Sequence, residues 1–65
     1  MKIYKHDKRF AVDVLANGWV GVFVLGEDGY KLQDKAIDKQ AAYQRIFMLT
    51  DKKKYVRDED FEEIK

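Results

Sequence analysis

Two runs of β-branched and aromatic residues, FAVDVLA at 10–16 and WVGVFVL at 19–25, flank the dipeptide Asn17-Gly18. Asn-Gly between alternating apolar runs is a strong hairpin signal, because a tight primed turn needs positive φ at both positions. A two-residue turn at Asn17-Gly18 predicts pairs Ala16–Trp19, Val14–Gly21, Val12–Phe23 and Phe10–Leu25 on one side of a sheet. The other side then pairs Leu15 with Val20, Asp13 with Val22 and Ala11 with Val24.

A second turn signal follows at Gly26-Glu27-Asp28-Gly29. With Asp28-Gly29 at the tip, Leu25 pairs with Leu32 and Glu27 with Tyr30, so both Leu32 and Tyr30 join the aromatic side. Lys31, Gln33 and Lys35 join the other. The third strand therefore predicts that Phe10, Val12, Trp19, Phe23 and Leu32 face the core and that the valine side is at least partly wet.

The stretch DKQAAYQRIFMLTD opens with Asp38, a favourable N-cap, and repeats apolar residues at three- and four-residue spacing: Ala42, Tyr43, Ile46, Phe47, Leu49. It predicts one amphipathic helix over about 38–51, packed on the aromatic side, with Met48 on its outer side. A competing reading makes 44–57 a β-hairpin. Tyr55-Val56 and Ile3-Tyr4 fit short strands, and Asp58 fits the cap of a helical turn carrying Phe61 and Ile64. The expected fold is α+β, a three-stranded antiparallel meander on one amphipathic helix with a short C-terminal element; the alternative is a small SH3-like all-β barrel.

The chain has 65 residues and neither cysteine nor proline, which makes it a single small domain and excludes disulfide and cysteine–zinc staples. Below roughly 70–80 residues one core rarely supplies more than about 3–5 kcal/mol. Stability must then come from the aromatic residues, from self-association or from a partner. An apolar content of 46% is too high for a disordered chain, and no apolar run approaches a membrane span or a signal-peptide core. A cytoplasmic location fits the lack of cysteine.

The net charge of +1 hides segregation. Residues 39–57 carry +5, from Lys39, Arg45, Lys52, Lys53, Lys54 and Arg57 against Asp51. The acidic C-terminal segment 58–65 carries −4, from five acids against Lys65. Blocks of this kind mark interaction surfaces or solvated tails.

Catalytic chemistry finds little support. The chain lacks serine and cysteine and has one threonine, Thr50, and one histidine, His6, in a charged stretch. The carboxylates of 58–63 lie in a solvated run, and acid–base work needs two carboxyls in contrasting environments within a cleft. The glycines form no phosphate loop and Glu27-Asp28-Gly29 lacks the ligand ladder of a calcium site, so no cofactor, metal or small-molecule substrate is expected.

Two binding surfaces remain. On the predicted register Val20, Val22 and Val24 stand in line on the side away from the helix, flanked by Ala11 and Leu15. This row is exposed, covered by the chain's own ends, or paired with a second copy or a partner protein. Lys52, Lys53, Lys54 and Arg57 around Tyr55 form a local basic patch, and basic groups interleaved with aromatics suit single-stranded nucleic acid. Groove reading by the sheet is disfavoured, because the face away from the helix would be too apolar and too poor in arginine. The expected function is therefore non-enzymatic protein–protein contact, of the inhibitor or regulator kind met among bacterial and bacteriophage accessory proteins. The alternative is a small nucleic-acid-binding module.

Overall fold

The computed structural model describes residues 1–51 and 54–63. The chain runs β1 (Lys2–Tyr4), β2 (Phe10–Val14), β3 (Val20–Gly26), β4 (Gly29–Ala36), α1 (Lys39–Leu49), a 3-10 turn (Asp58–Asp60) and β5 (Phe61–Glu63). The strands form one five-stranded sheet in the order β4-β3-β2-β1-β5, antiparallel throughout. The fold is thus α+β, with β1 and β5 extending the expected meander to five strands. Residues 44–57 do not form a hairpin, since α1 continues to Leu49.

The first hairpin turns one residue wider than predicted. Val14 pairs with Val20, the Leu15 N–H donates to the Trp19 carbonyl at 2.7 Å, and the Gly18 N–H donates to the Leu15 carbonyl at 3.0 Å. The turn therefore holds Ala16, Asn17 and Gly18, with Gly18 supplying the positive φ (80°) that a three-residue loop requires at its last position. One extra residue shifts the phase of β3 by one, which exchanges its two faces. Phe10, Val12 and Val14 now share a side with Val24, Val22 and Val20. The second hairpin also differs: Glu27-Asp28 is its tip, Gly26 pairs with Gly29, and Phe23 pairs with Leu32. A bulge follows, and Val22 pairs with Asp34.

The helix accordingly covers the valine side, not the aromatic side. Tyr4, Phe10, Val12, Val20, Val22, Ala36 and Phe61 from the sheet pack with Ala42, Tyr43 and Ile46 from α1. Trp19 and Leu32, expected in the core, are 45% and 43% exposed, and Phe23 is half-buried.

Helix α1 starts where Asp38 caps it, accepting the Ala41 N–H at 2.9 Å. It ends when Thr50, in extended conformation, donates its N–H to the Ile46 carbonyl at 2.9 Å. Arg45 pairs with Asp34 at 3.0 Å and ties the outer side of α1 to β4. Beyond the helix, Tyr55 and Val56 form no strand, but Val56 packs against the core. The 58–60 turn has Arg57, not Asp58, at its N-cap. Phe61 is in a strand, and Ile64 lies outside the described residues. Phe61 stacks on Tyr43 at 4.9 Å and lies 5.5 Å from Tyr4, so three rings join helix, β1 and β5.

Ile46 is fully buried and Met48 is 64% exposed two residues on. Ile46→Ala is expected to cost about 2–5 kcal/mol, and Met48→Ala less than about 0.5 kcal/mol. Urea denaturation of the two variants checks the assignment of the covered helix face.

Candidate protein-contact surface

The side of the sheet away from α1 is uncovered, and the register sorts its residues into rows. Asp13, Gly21 and Lys35 form one row across β2, β3 and β4. Ile3, Ala11, Phe23 and Leu32 form the next, across β1 to β4. Leu25 pairs with Tyr30 beyond it, and Leu15 meets Trp19 at the opposite end. Among its large apolar side chains exposure is highest at Leu25 (47%), Trp19 (45%) and Leu32 (43%). Leu15, Ala16, Asn17, Trp19, Leu32 and Lys35 line a shallow depression of about 390 Å³ at the first hairpin's end.

Gly21 is the low point of this face. A Cβ built there would lie 2.8 Å from Leu32 Cδ1, 2.9 Å from Phe23 Cε1 and 3.1 Å from Leu15 Cδ2. The three side chains therefore lean together over bare backbone. Ala11, opposite Phe23, is fully buried although it lies on the uncovered side. The predicted register places Gly21 on the covered side, and the structure places it on the open one.

Of the residues expected to form an apolar contact, Val20, Val22 and Ala11 are buried and Val24 is half-buried against the core. The valine row is closed to a partner because α1, Tyr4 and Phe61 already occupy it. Leu15 alone of the five lies on the open face with appreciable exposure. Trp19, Phe23, Leu25 and Leu32 are the accessible apolar groups that the sequence assigned to the core. Their signal is present, since a three-residue turn containing Asn-Gly is also common and gives this phase.

Of the expected basic patch, Lys52 and Lys53 lie outside the described residues. Lys54 and Arg57 are exposed, and Tyr55 is 82% exposed with its ring stacked 6.0 Å from Phe47. Lys54, Tyr55 and Arg57 share an open depression with His6, Glu59 and Asp60. Arg57 lies 3.6 Å from Glu59, so acid and base alternate there.

The same end of the molecule is tied by Asp60. His6 Nε2 lies 3.0 Å from Asp60 Oδ1, the Arg57 N–H donates to Oδ2 at 2.9 Å, and the Lys5 N–H donates to the Asp60 carbonyl at 2.7 Å. Desolvation of Asp60 opposes ionisation, but the Arg57 N–H and His6 outweigh it and hold the carboxyl below its ordinary value. Burial raises the Tyr43 phenol, helped by its hydrogen bond to Asp58. Burial also raises the Tyr4 phenol, whose oxygen has no hydrogen-bond partner among the described residues.

No family model, no curated protein and no solved structure matches this chain. Among the described residues, no helix is long and apolar enough to cross a membrane.

Two outcomes follow from this geometry. Gly21→Val forces apart the Leu15, Phe23 and Leu32 side chains and is expected to destabilise the fold by about 1–3 kcal/mol, read from thermal or urea unfolding. Asp60 ionises more readily folded than unfolded, so its stabilising contribution is complete above the ordinary carboxylate range. It is lost as the pH falls below about 4 and passes through the depressed folded value. Amide protection factors at Lys5 and Arg57, taken against the intrinsic rate at each pH, should drop over that fall, and Asp60→Asn should remove most of the pH dependence.

Proposed function

We propose that the protein acts by non-enzymatic protein–protein contact and that the open face of the sheet is its contact surface. One observation carries the reading: Trp19, Phe23, Leu25 and Leu32 form an apolar patch on the face that α1 leaves bare. Contiguous apolar patches with charged rims mark interaction sites, and tryptophan is enriched among the residues that dominate binding energy. Asp13 and Lys35 supply charge at one margin and Glu62, opposite Ile3, at another. The free edge of β4 is less suited to strand addition, because Lys31, Asp34 and Lys35 and a bulge interrupt it. Recognition is therefore face-on. A small cytoplasmic inhibitor or regulator, of bacterial or bacteriophage accessory type, fits a surface of this size and a site without reacting groups.

The second reading is nucleic-acid binding through Lys54, Tyr55 and Arg57, favoured by the exposed Tyr55 ring stacked on Phe47. Glu59 and Asp60 beside it reduce the local positive potential. Salt separates the readings, since phosphate contacts weaken steeply with added salt and an apolar contact does not.

A photoreactive phenylalanine analogue at Leu32 and a control at Gln44, on the exposed side of α1, test the preferred reading in cells of the native host. Discrete cross-linked protein products at position 32 and none at 44 are expected. Equal labelling at both positions, or no product at 32, refutes contact through the open face.

A further inference from the structure

We infer that the open face is occupied by a second copy of this chain, stacked face to face about a two-fold axis parallel to β3. The inference rests on the open face being a contact surface and adds the identity of its occupant.

The argument is the charge order of one row. Asp13, Gly21 and Lys35 stand side by side, acid on β2, glycine on β3, base on β4. A two-fold axis parallel to β3 and passing over Gly21 exchanges the β2 and β4 positions of the facing sheets. Each Asp13 then lies over the partner's Lys35, and each Lys35 over the partner's Asp13. The row is its own electrostatic complement, as a closed two-fold contact requires. Lys35 has no salt bridge among the described residues, and its ammonium is available for this pair. Asp13 is 47% exposed, with its Oδ1 holding the Val14 N–H at 3.0 Å and lying 3.6 Å from the Met1 amine.

The same axis sets Leu32, 43% exposed, over the partner's β2 at the level of Ala11, which its own chain already covers, and Phe23 over the partner's Phe23, so the neighbouring row meets as apolar surface on apolar surface. Sheets stacked in this way sit about 10 Å apart with strands within roughly 30° of alignment. An axis running across the strands over Gly21 would instead set Asp13 over the partner's Asp13 and Lys35 over the partner's Lys35, like charge on like, which favours the axis along β3.

The patch is made by a few side chains, Trp19, Phe23, Leu25 and Leu32, whereas a standard stable interface engages roughly 20–30 residues a side. Association is therefore concentration-dependent, and sedimentation equilibrium from about 10 µM to about 1 mM covers the relevant range. The full chain is expected to pass from monomer to dimer within it. Asp13→Lys alone and Lys35→Asp alone each set like charges opposite one another twice per dimer, and each should weaken association about tenfold. An equimolar mixture of the two variants restores both pairs and should associate within about threefold of the unaltered chain. Circular dichroism and amide exchange on each variant establish that it remains folded. A chain that stays monomeric to about 1 mM overturns the second copy as occupant, while the cross-link at Leu32 still decides contact through this face. Single variants that weaken association without rescue on mixing overturn the axis. Dimerisation unchanged by Leu32→Lys overturns this inference, and the cross-link at Leu32 decides separately whether the face contacts another protein.

Discussion

Side chains on a strand alternate between its faces, so the number of residues in a hairpin turn decides which face of one strand meets which face of the next. Between β2 and β3 that number is three: Ala16, Asn17 and Gly18. The phase it sets puts Val20 and Val22 beside Val12 and Val14, and Phe23 beside Ala11. The strand β4 follows β3, because Gly26 and Gly29 pair across a two-residue turn and leave Leu32 level with Phe23. With those phases set, the valine side receives Ala42 and Ile46 of the helix. The ends of the chain then complete that side rather than the other. Tyr4 and Phe61 enter the same core, and Phe61 stacks on Tyr43.

This arrangement explains how 65 residues without a disulfide close a core. The last strand is only Phe61–Glu63, and a strand of three residues has little hydrogen bonding of its own to hold it. It is held instead by the Phe61 ring between Tyr4 and Tyr43 and by the polar ties around Asp58 and Asp60. The Asp60 carboxylate joins the β1–β2 connection to the C-terminal turn through His6. The acidic segment that looks like a solvated tail in the sequence thus contains a structural closure, with exposed Glu59, Glu62 and Glu63 interleaved among the anchoring residues.

The sequence made the elements legible and left their phase open. Asp38 at the helix start, the apolar spacing through Ile46, and the turn at Asn17-Gly18 all carry local signals strong enough to survive folding. The α+β class follows from them. The side of the sheet that the helix covers does not, because Asn-Gly serves both two- and three-residue turns and the two differ by one residue. Either phase leaves Phe10 and Val12 inward. The choice falls on β3, where both alternate sets, Trp19, Gly21 and Phe23 or Val20, Val22 and Val24, are apolar. Local pattern cannot separate two apolar faces; tertiary packing against α1 does. The candidate surface inherited that ambiguity, and it moved with the phase from the valines to the aromatic side.

Leaving tryptophan, phenylalanine and leucine on the wet side has a structural consequence beyond mere exposure. Leu15, Phe23 and Leu32 lean together over Gly21, and Ala11 beneath them is already dry. The face is therefore partly ordered before anything touches it. Ordering loose side chains on association costs roughly 0.5–1.5 kcal/mol for each one immobilised. Groups already packed against each other incur less of that cost. A bulkier residue than glycine at position 21 would remove the space into which the three groups close. The glycine that weakens a strand in isolation thus keeps this face compact, and compactness suits the proposed contact surface, a patch of only a few side chains.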